Sequence, residues 1–219
     1  MAQCFRRQRP RRAVSRAHRG VFAAVLAAAL GAGVLAAAPA SAATIKVQYP
    51  VTGQSVIKKT GGTLELGPGT LRTTVETRTG GADLTGHLEL PPAKSSFTVA
   101  GFIPVRATVT VIPTTPVTGQ IVQGVVDARS EAHIQLSDIW VAGVIYTPVG
   151  NECRTERPVA MDLRSEGDFT IFDGGTMSGV YTIPDFRNCT IFGPLLSSLV
   201  SGPDNTITLE LGRATPITD

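Results

Sequence analysis

This chain has little with which to do chemistry. Phe, Trp and Tyr make up 5% of its 219 residues, and there is a single Trp, Trp140. Sugar sites stack their ligands on aromatic platforms, so scarce aromatics argue against a glycosidase even though Glu152, Glu156, Glu166, Asp168 and Asp173 supply carboxylates. Histidine is rarer still: beyond the N-terminal segment only His87 and His133 remain. No G-x-S-x-G elbow presents a nucleophilic serine, and no C-x-x-C spacing suggests redox chemistry. Gly61-Gly62 and Gly174-Gly175 read as hairpin turns, not as the strand-to-helix turns that cradle phosphate. No basic stretch with interleaved aromatics points to nucleic acid. The C-terminus, Pro216-Ile217-Thr218-Asp219, has no hydrophobic tail or sorting motif.

What is present begins with a leader. Arg6, Arg7, Arg9, Arg11, Arg12, Arg16 and Arg19 precede an Ala/Gly/Val/Leu-rich run from Val21 to Ala38, and Ala40-Ser41-Ala42 follows. A basic start, an apolar middle and an A-x-A site make a secretory signal peptide over residues 1–42, cleaved after Ala42. The run nears the length of a bilayer span, but its Ala-rich composition and its cleavage site favour a leader over an anchor. Arg11-Arg12 lacks the full hydrophobic sequel of a twin-arginine signal, which favours the general secretion route.

The leader also carries the net charge. Seven of the 20 Lys and Arg lie within residues 1–42, and none of the 17 acids does. Residues 43–219 therefore hold 13 bases against 17 acids, and a formal charge of +3 becomes −4. The basic isoelectric point is no sign of a nucleic-acid partner. Cys4 leaves with the leader, so Cys153 and Cys189 form an even pair in an exported chain, for which a disulfide is the expectation. Closing a loop across their separation of 36 residues contributes roughly 3–4 kcal/mol by chain entropy.

From Thr44 onward the pattern is β. In Thr70–Arg78, Leu71, Thr73, Val75 and Thr77 alternate with Arg72, Thr74, Glu76 and Arg78. A turn at 79–83 leads to Leu84, Gly86, Leu88 and Leu90 on one face, which predicts a hairpin. Val105, Ala107, Val109 and Val111 alternate likewise with Arg106, Thr108 and Thr110. Gly67-Pro68-Gly69 reads as a turn, and strands are expected at Gln120–Val126 and Glu131–Leu136. Ile139–Tyr146 is apolar on both faces, as a central or covered strand would be. Phe192–Val200, with Pro194 near its first turn, is the one helix expected.

Two internal echoes stand out. Leu84-Thr85-Gly86 through Pro91 matches Met177-Ser178-Gly179 through Pro184, and Pro50-Val51-Thr52-Gly53-Gln54 matches Pro116-Val117-Thr118-Gly119-Gln120. Two related halves, or reuse of β vocabulary, account for them equally well.

His87 and Glu89, and Glu131 and His133, each stand two residues apart on an outward strand face. Were the two strands neighbours, four ligands would converge as zinc requires. Solvated strand faces give the same pattern, and no metal is expected.

The run Leu84-Thr85-Gly86-x-Leu88-x-Leu90-Pro91-Pro92, followed by Gly101-Phe102-Ile103-Pro104-Val105-Arg106-Ala107-Thr108-Val109, resembles a broad group of exported β-rich proteins of actinobacteria. Cys153-Arg154-Thr155, Gly179-Val180-Tyr181-Thr182-Ile183-Pro184 and Ser201-Gly202-Pro203-Asp204-Asn205-Thr206 resemble it too, as does the alanine-rich leader. The resemblance spans most of residues 43–219. It implies export and a β-fold, and it brings no catalytic residues with it.

The expectation is one all-β domain over residues 43–219, an antiparallel two-sheet sandwich or a distorted β-barrel with one short C-terminal helix. Its role is expected to be non-enzymatic: a secreted binding or envelope-associated module that uses no cofactor and meets an envelope or protein partner. The alternative is a carrier that holds an apolar small molecule or lipid inside a barrel. Gly86, Ala107 and Gly179 either leave room for such a ligand or mark close packing. An extracellular hydrolase ranks third.

Overall fold

The alternating segments form strands, and the strands close on one another. The computed structural model describes residues 42–99 and 101–218; apart from Ala42, the expected leader and its cleavage site lie outside the described residues. In chain order the strands are β1 (Thr44–Ile57), β2 (Gly62–Arg78), β3 (Gly81–Glu89), β4 (Ala93–Val99), β5 (Ile103–Pro113), β6 (Val117–Val122) and β7 (Val125–Val141). There follow β8 (Ile145–Thr147), β9 (Arg154–Thr155), β10 (Val159–Thr170), β11 (Gly174–Ile183) and β12 (Phe186–Arg187). Helix α1 (Gly193–Val200), β13 (Gly202–Leu211) and β14 (Thr215–Pro216) complete the described chain.

The fold is a closed antiparallel barrel, not a sandwich. One circuit runs β1-β13-β11-β10-β7-β5-β4-β2 and returns to β1. Three long strands run through it: β1 with 14 residues, and β2 and β7 with 17 each. The start of β2 pairs with β4, and its later part, from Thr70, pairs with β3. Likewise β7 pairs with β6 through Arg129 and with β5 from Ala132 onward. The wall between β2 and β7 is thus β4 and β5 at the end that carries α1, and β3 and β6 at the far end. The switch falls at Pro91-Pro92 and at Pro113 and Pro116, residues that cannot donate to a ladder. Closure leaves no long open edge for another chain to pair with.

Several expected boundaries move. Gly67-Pro68-Gly69 is not a turn: β2 continues through it, opposite a register shift between Val51 and Gly53 of β1. The strand expected at Gln120–Val126 is broken, because Gln123 and Gly124 take left-handed φ and turn β6 into β7. α1 keeps Pro194 in its first turn and starts one residue later than expected.

The echoed glycines share one local cause. A Cβ on Gly86 would sit 2.8 Å from the main-chain oxygen of Arg72, and one on Gly179 would collide with that of Asp162. Gly53 and Gly119 meet the oxygens of Thr208 and Asp127 in the same way. These are close-packing positions of a tightly curled wall. β1 and β6, or β3 and β11, have no equivalent neighbours in the ring, which favours shared vocabulary over related halves.

Candidate ligand cavity at the helix end of the barrel

Inward side chains differ in size along the barrel. Toward the far end Tyr49, Phe169, Met177 and Leu209 are buried and reach the axis, and the rings of Tyr49 and Phe169 lie 6.2 Å apart. They leave a void of about 60 Å³. Toward α1 two inward positions are small, Ser95 of β4 and Ala107 of β5. A cavity of about 260 Å³ results. Its walls are Leu64 of β2, Phe97 and Val99 of β4, Ile103 of β5, and Ile134, Leu136, Ile139 and Val141 of β7. Phe192 and Leu195, Leu196, Leu199 and Val200 of α1 close it. Of the three small residues singled out in the sequence, Gly86 and Gly179 pack closely and Ala107 leaves room.

Polar atoms in this cavity are few. Ser95 is 5% exposed and lines the cavity. Tyr181 lies within 2.7 Å of Ser55 Oγ, which donates to the Thr206 main-chain oxygen at 2.9 Å. That arrangement makes the Tyr181 hydroxyl the donor to Ser55, with its oxygen left to accept. Burial pushes the Tyr181 hydroxyl above its ordinary value, and the Ser55 bond pulls the other way. The cavity therefore suits a mostly apolar molecule with at most one or two polar atoms. At interior packing density it accommodates about 190 Å³ of van der Waals volume, or roughly ten non-hydrogen atoms. A dry cavity of about 150 Å³ already binds benzene.

The covering helix is anchored at both ends. Before it, the buried Cys153 and Cys189 form a disulfide that ties the loop after β8 to the approach to α1. Asn188 and Thr190, on either side of Cys189, both hold left-handed φ, and the Phe192 N–H donates to the Cys189 oxygen at 3.0 Å. After the helix, Ser201 Oγ donates to Pro184 O at 2.8 Å. The buried Asn205 side chain donates to Gly202 O and Tyr181 O and accepts from the Lys58 N–H. The sequence does not mark Asn205 for this role. A lone Asn after a Gly-Pro-Asp turn reads as turn chemistry, and its cross-strand bonds depend on register.

The metal and carboxylate candidates do not assemble. β6 lies between β3 and β7, and Glu89, Glu131 and His133 each have a partner elsewhere. Glu89 pairs with Arg72 at 2.9 Å and Glu131 with Arg129 at 3.1 Å. His133 Nδ1 sits 3.2 Å from Thr155 Oγ1, and His87 stands across from Arg72. No cluster of three potential ligands occurs among the described residues. Glu152 and Glu156 lie in the loops near α1, paired with Arg154 and with Arg157 and Arg187. Glu166, Asp168 and Asp173 belong to the far hairpin, where Arg213 and Thr170 hold the Asp173 carboxyl below its usual range. An outer groove between β3, β6, β7 and β10 is wide and charged, but its Arg129–Asp162 and Arg164–Asp127 pairs are already made.

The reading of Ile139–Tyr146 as a covered strand is corrected. β7 ends at Val141, turns and returns as β8, with Trp140, Val144, Ile145 and Tyr146 exposed. One face is apolar because it lines the cavity, and the other because it stands at the barrel mouth.

Comparison with known proteins finds no matching protein family, no matching curated protein and no matching solved structure.

Proposed function

We propose that the protein is an exported carrier that holds an apolar small molecule, or the apolar part of a lipid, beneath α1, and that it catalyses no reaction. The observation that carries this reading is the cavity of about 260 Å³ with an almost wholly apolar lining. It raises the carrier above the general binding module that the sequence favours. Export rests on the leader pattern, on the resemblance to exported actinobacterial proteins and on a disulfide that suits an oxidising compartment. No described helix is long and apolar enough to cross a membrane. The acidic balance of residues 43–219 suits a chain without a nucleic-acid partner.

The dye 1-naphthylamine, whose fluorescence is environment-sensitive and whose size of about eleven non-hydrogen atoms suits the cavity, tests the reading. A ligand of about ten non-hydrogen atoms gives a dissociation constant on the order of 1–50 μM at common ligand efficiencies. Ala107→Leu and Ser95→Leu, each of which fills the cavity, should weaken dye binding about tenfold or more. Dye binding that ignores both substitutions, or none in the native protein, refutes the carrier. Export is checked separately: N-terminal sequencing of protein from the medium should begin at Ala43, and a membrane-bound chain beginning at Met1 would contradict it.

A further inference from the structure

Around the mouth of the cavity the surface turns apolar. The β4–β5 turn reads Val99-Ala100-Gly101-Phe102-Ile103, and the β7–β8 turn reads Val141-Ala142-Gly143-Val144-Ile145. The two tips are built alike. In each, the fourth residue donates its N–H to the first: Phe102 to Val99 at 3.3 Å and Val144 to Val141 at 3.2 Å. Gly101 and Gly143 hold φ of 79° and 74°. The tips are also neighbours, since the Ala142 N–H donates to Pro104 O and Val105 pairs with Val141.

Two-residue hairpin turns of this kind favour Asn-Gly or Asp-Gly, because Asn and Asp tolerate left-handed φ. Here an alanine, Ala142, holds φ 51°. The sequence forgoes the easier polar residue and keeps the tip free of polar side chains. Phe102 is 77% exposed and Val144 78%. The third side of the mouth is similar: Ile191 is 85% exposed, Leu195 is 55% exposed, and α1 carries no charge.

Polarity then changes in steps away from the tips. Below the β7–β8 tip, Trp140 and Tyr146 pair across the hairpin with ring centroids 5.2 Å apart. Arg106 stands beside Trp140 on the next strand, and Lys59 reaches the end of α1, its Nζ 3.2 Å from Ser198 O. Asp138 lies further down β7. Apolar tips, then a level that holds both amphipathic aromatics and the cation Arg106, match the acyl boundary and the headgroup interface of a bilayer. The cavity lining continues into the tips, with Ile103 beside Phe102 and Phe192 beside Ile191.

We infer that the α1 end of the barrel docks on a lipid bilayer surface, with Phe102, Val144 and Ile191 entering the acyl boundary, and that the cavity exchanges its ligand there. The exchange step rests on the carrier reading; the docking rests on the tips alone.

Trp140 is the only tryptophan in the chain, so its emission reports on the docked end. Exported protein should be mixed with vesicles of phosphatidylcholine and phosphatidylglycerol. The emission should shift to the blue, and lipids brominated near the headgroup end of the acyl chain should quench it. Phe102→Asp with Val144→Asp should weaken vesicle partitioning by at least about tenfold, given the apolar area withdrawn. Dye binding in the absence of vesicles should stay unchanged in that variant, because neither side chain lines the cavity, and this also confirms that it folds. Vesicle binding without dye binding upholds the docking and refutes the carrier. Absent vesicle binding, partitioning indifferent to the two substitutions, or a dimer of this chain that the same substitutions dissociate would each overturn the docking.

Discussion

At the far end of the barrel, Tyr49, Phe169, Met177 and Leu209 meet near the axis and leave about 60 Å³. At the α1 end, Ser95 and Ala107 face the interior and about 260 Å³ stays open. The long strands β1, β2 and β7 serve both ends, so the backbone frame is common. The difference comes from the short inserts, β4 and β5 against β3 and β6, and from the side chains at each level. The turns differ as well. Thr79-Gly80 and Gln123-Gly124 at the far end follow ordinary polar turn chemistry, although Val122 and Phe172 are exposed beside the far-end turns. At the α1 end, three separate segments present apolar side chains together. A shared frame can thus be stabilised by one filled end while the other forgoes packing and leaves a space.

Four experiments test this division. The largest effect is expected from Cys153→Ser with Cys189→Ser, which releases the approach to α1. Losing a loop constraint over 36 residues should cost roughly 3–4 kcal/mol and lower Tm by about 6–15 °C. Hydrogen exchange should quicken first in residues 186–201, and the β2–β3 hairpin should stay protected. Equal loss of protection at both ends would show that the ends are not separable.

Next comes a matched enlargement. Ala82, at the far end, is 5% exposed and lines neither space, so Ala82→Leu should overpack and cost about 1–3 kcal/mol. Ala107→Leu has room and should change stability by less than about 1 kcal/mol. Chemical denaturation of the pair measures the contrast, and equal penalties would erase it.

The third experiment is a pH titration of stability. Burial pushes the Tyr49 hydroxyl up to about 12, and it donates to Ile171 O at 2.6 Å. An unfolded tyrosine ionises near pH 10, so between about pH 10 and 12 the unfolded chain releases a proton that the folded chain keeps. This contribution is complete below about pH 10 and is lost as pH rises through that window. Tyr49→Phe should flatten part of the alkaline decline and cost about 1 kcal/mol at neutral pH from the lost hydrogen bond. An unchanged alkaline slope would count against a sealed far end.

The smallest effect concerns Thr73 Oγ1, which is buried beside the far void without a hydrogen-bond partner among the described residues. Thr73→Val removes that orphan at nearly constant shape and should be neutral or stabilising by up to about 1 kcal/mol. A clear destabilisation would mean that the hydroxyl is satisfied in solution.

How much of this was legible follows the range of each interaction. The β2–β3 hairpin was readable because its alternation and its turn are local, and the structure pairs Thr70 with Glu89 through Arg78 with Gly81. α1 was readable from Pro194 and the composition around it. Closure was not, because β1 pairs with β13 across almost the whole domain and no local pattern encodes that register. The cavity needed closure first: Ser95 and Ala107 are only small residues until β7 and α1 face them. The docking tips were visible as an apolar run from Ile139 to Tyr146, yet such a run in a string of letters signals burial. Their likeness to Val99–Ile103 gains meaning only once the two turns lie side by side.

The place of β13 in the ring has a consequence for the order in which the barrel can be assembled. This strand is the stave between β1 and β11, pairing Val51–Val56 on one side and Gly175–Ile183 on the other, and it starts only at Gly202. A chain that emerges N-terminus first presents β1 early and β13 after every other strand of the ring, so both flanking staves must wait with bare edges for their common partner. Such distant pairing makes closure slow and leaves the intermediate prone to pair with its neighbours. A chain halted before residue 202 should therefore not settle into a smaller barrel but gather edge to edge with copies of itself.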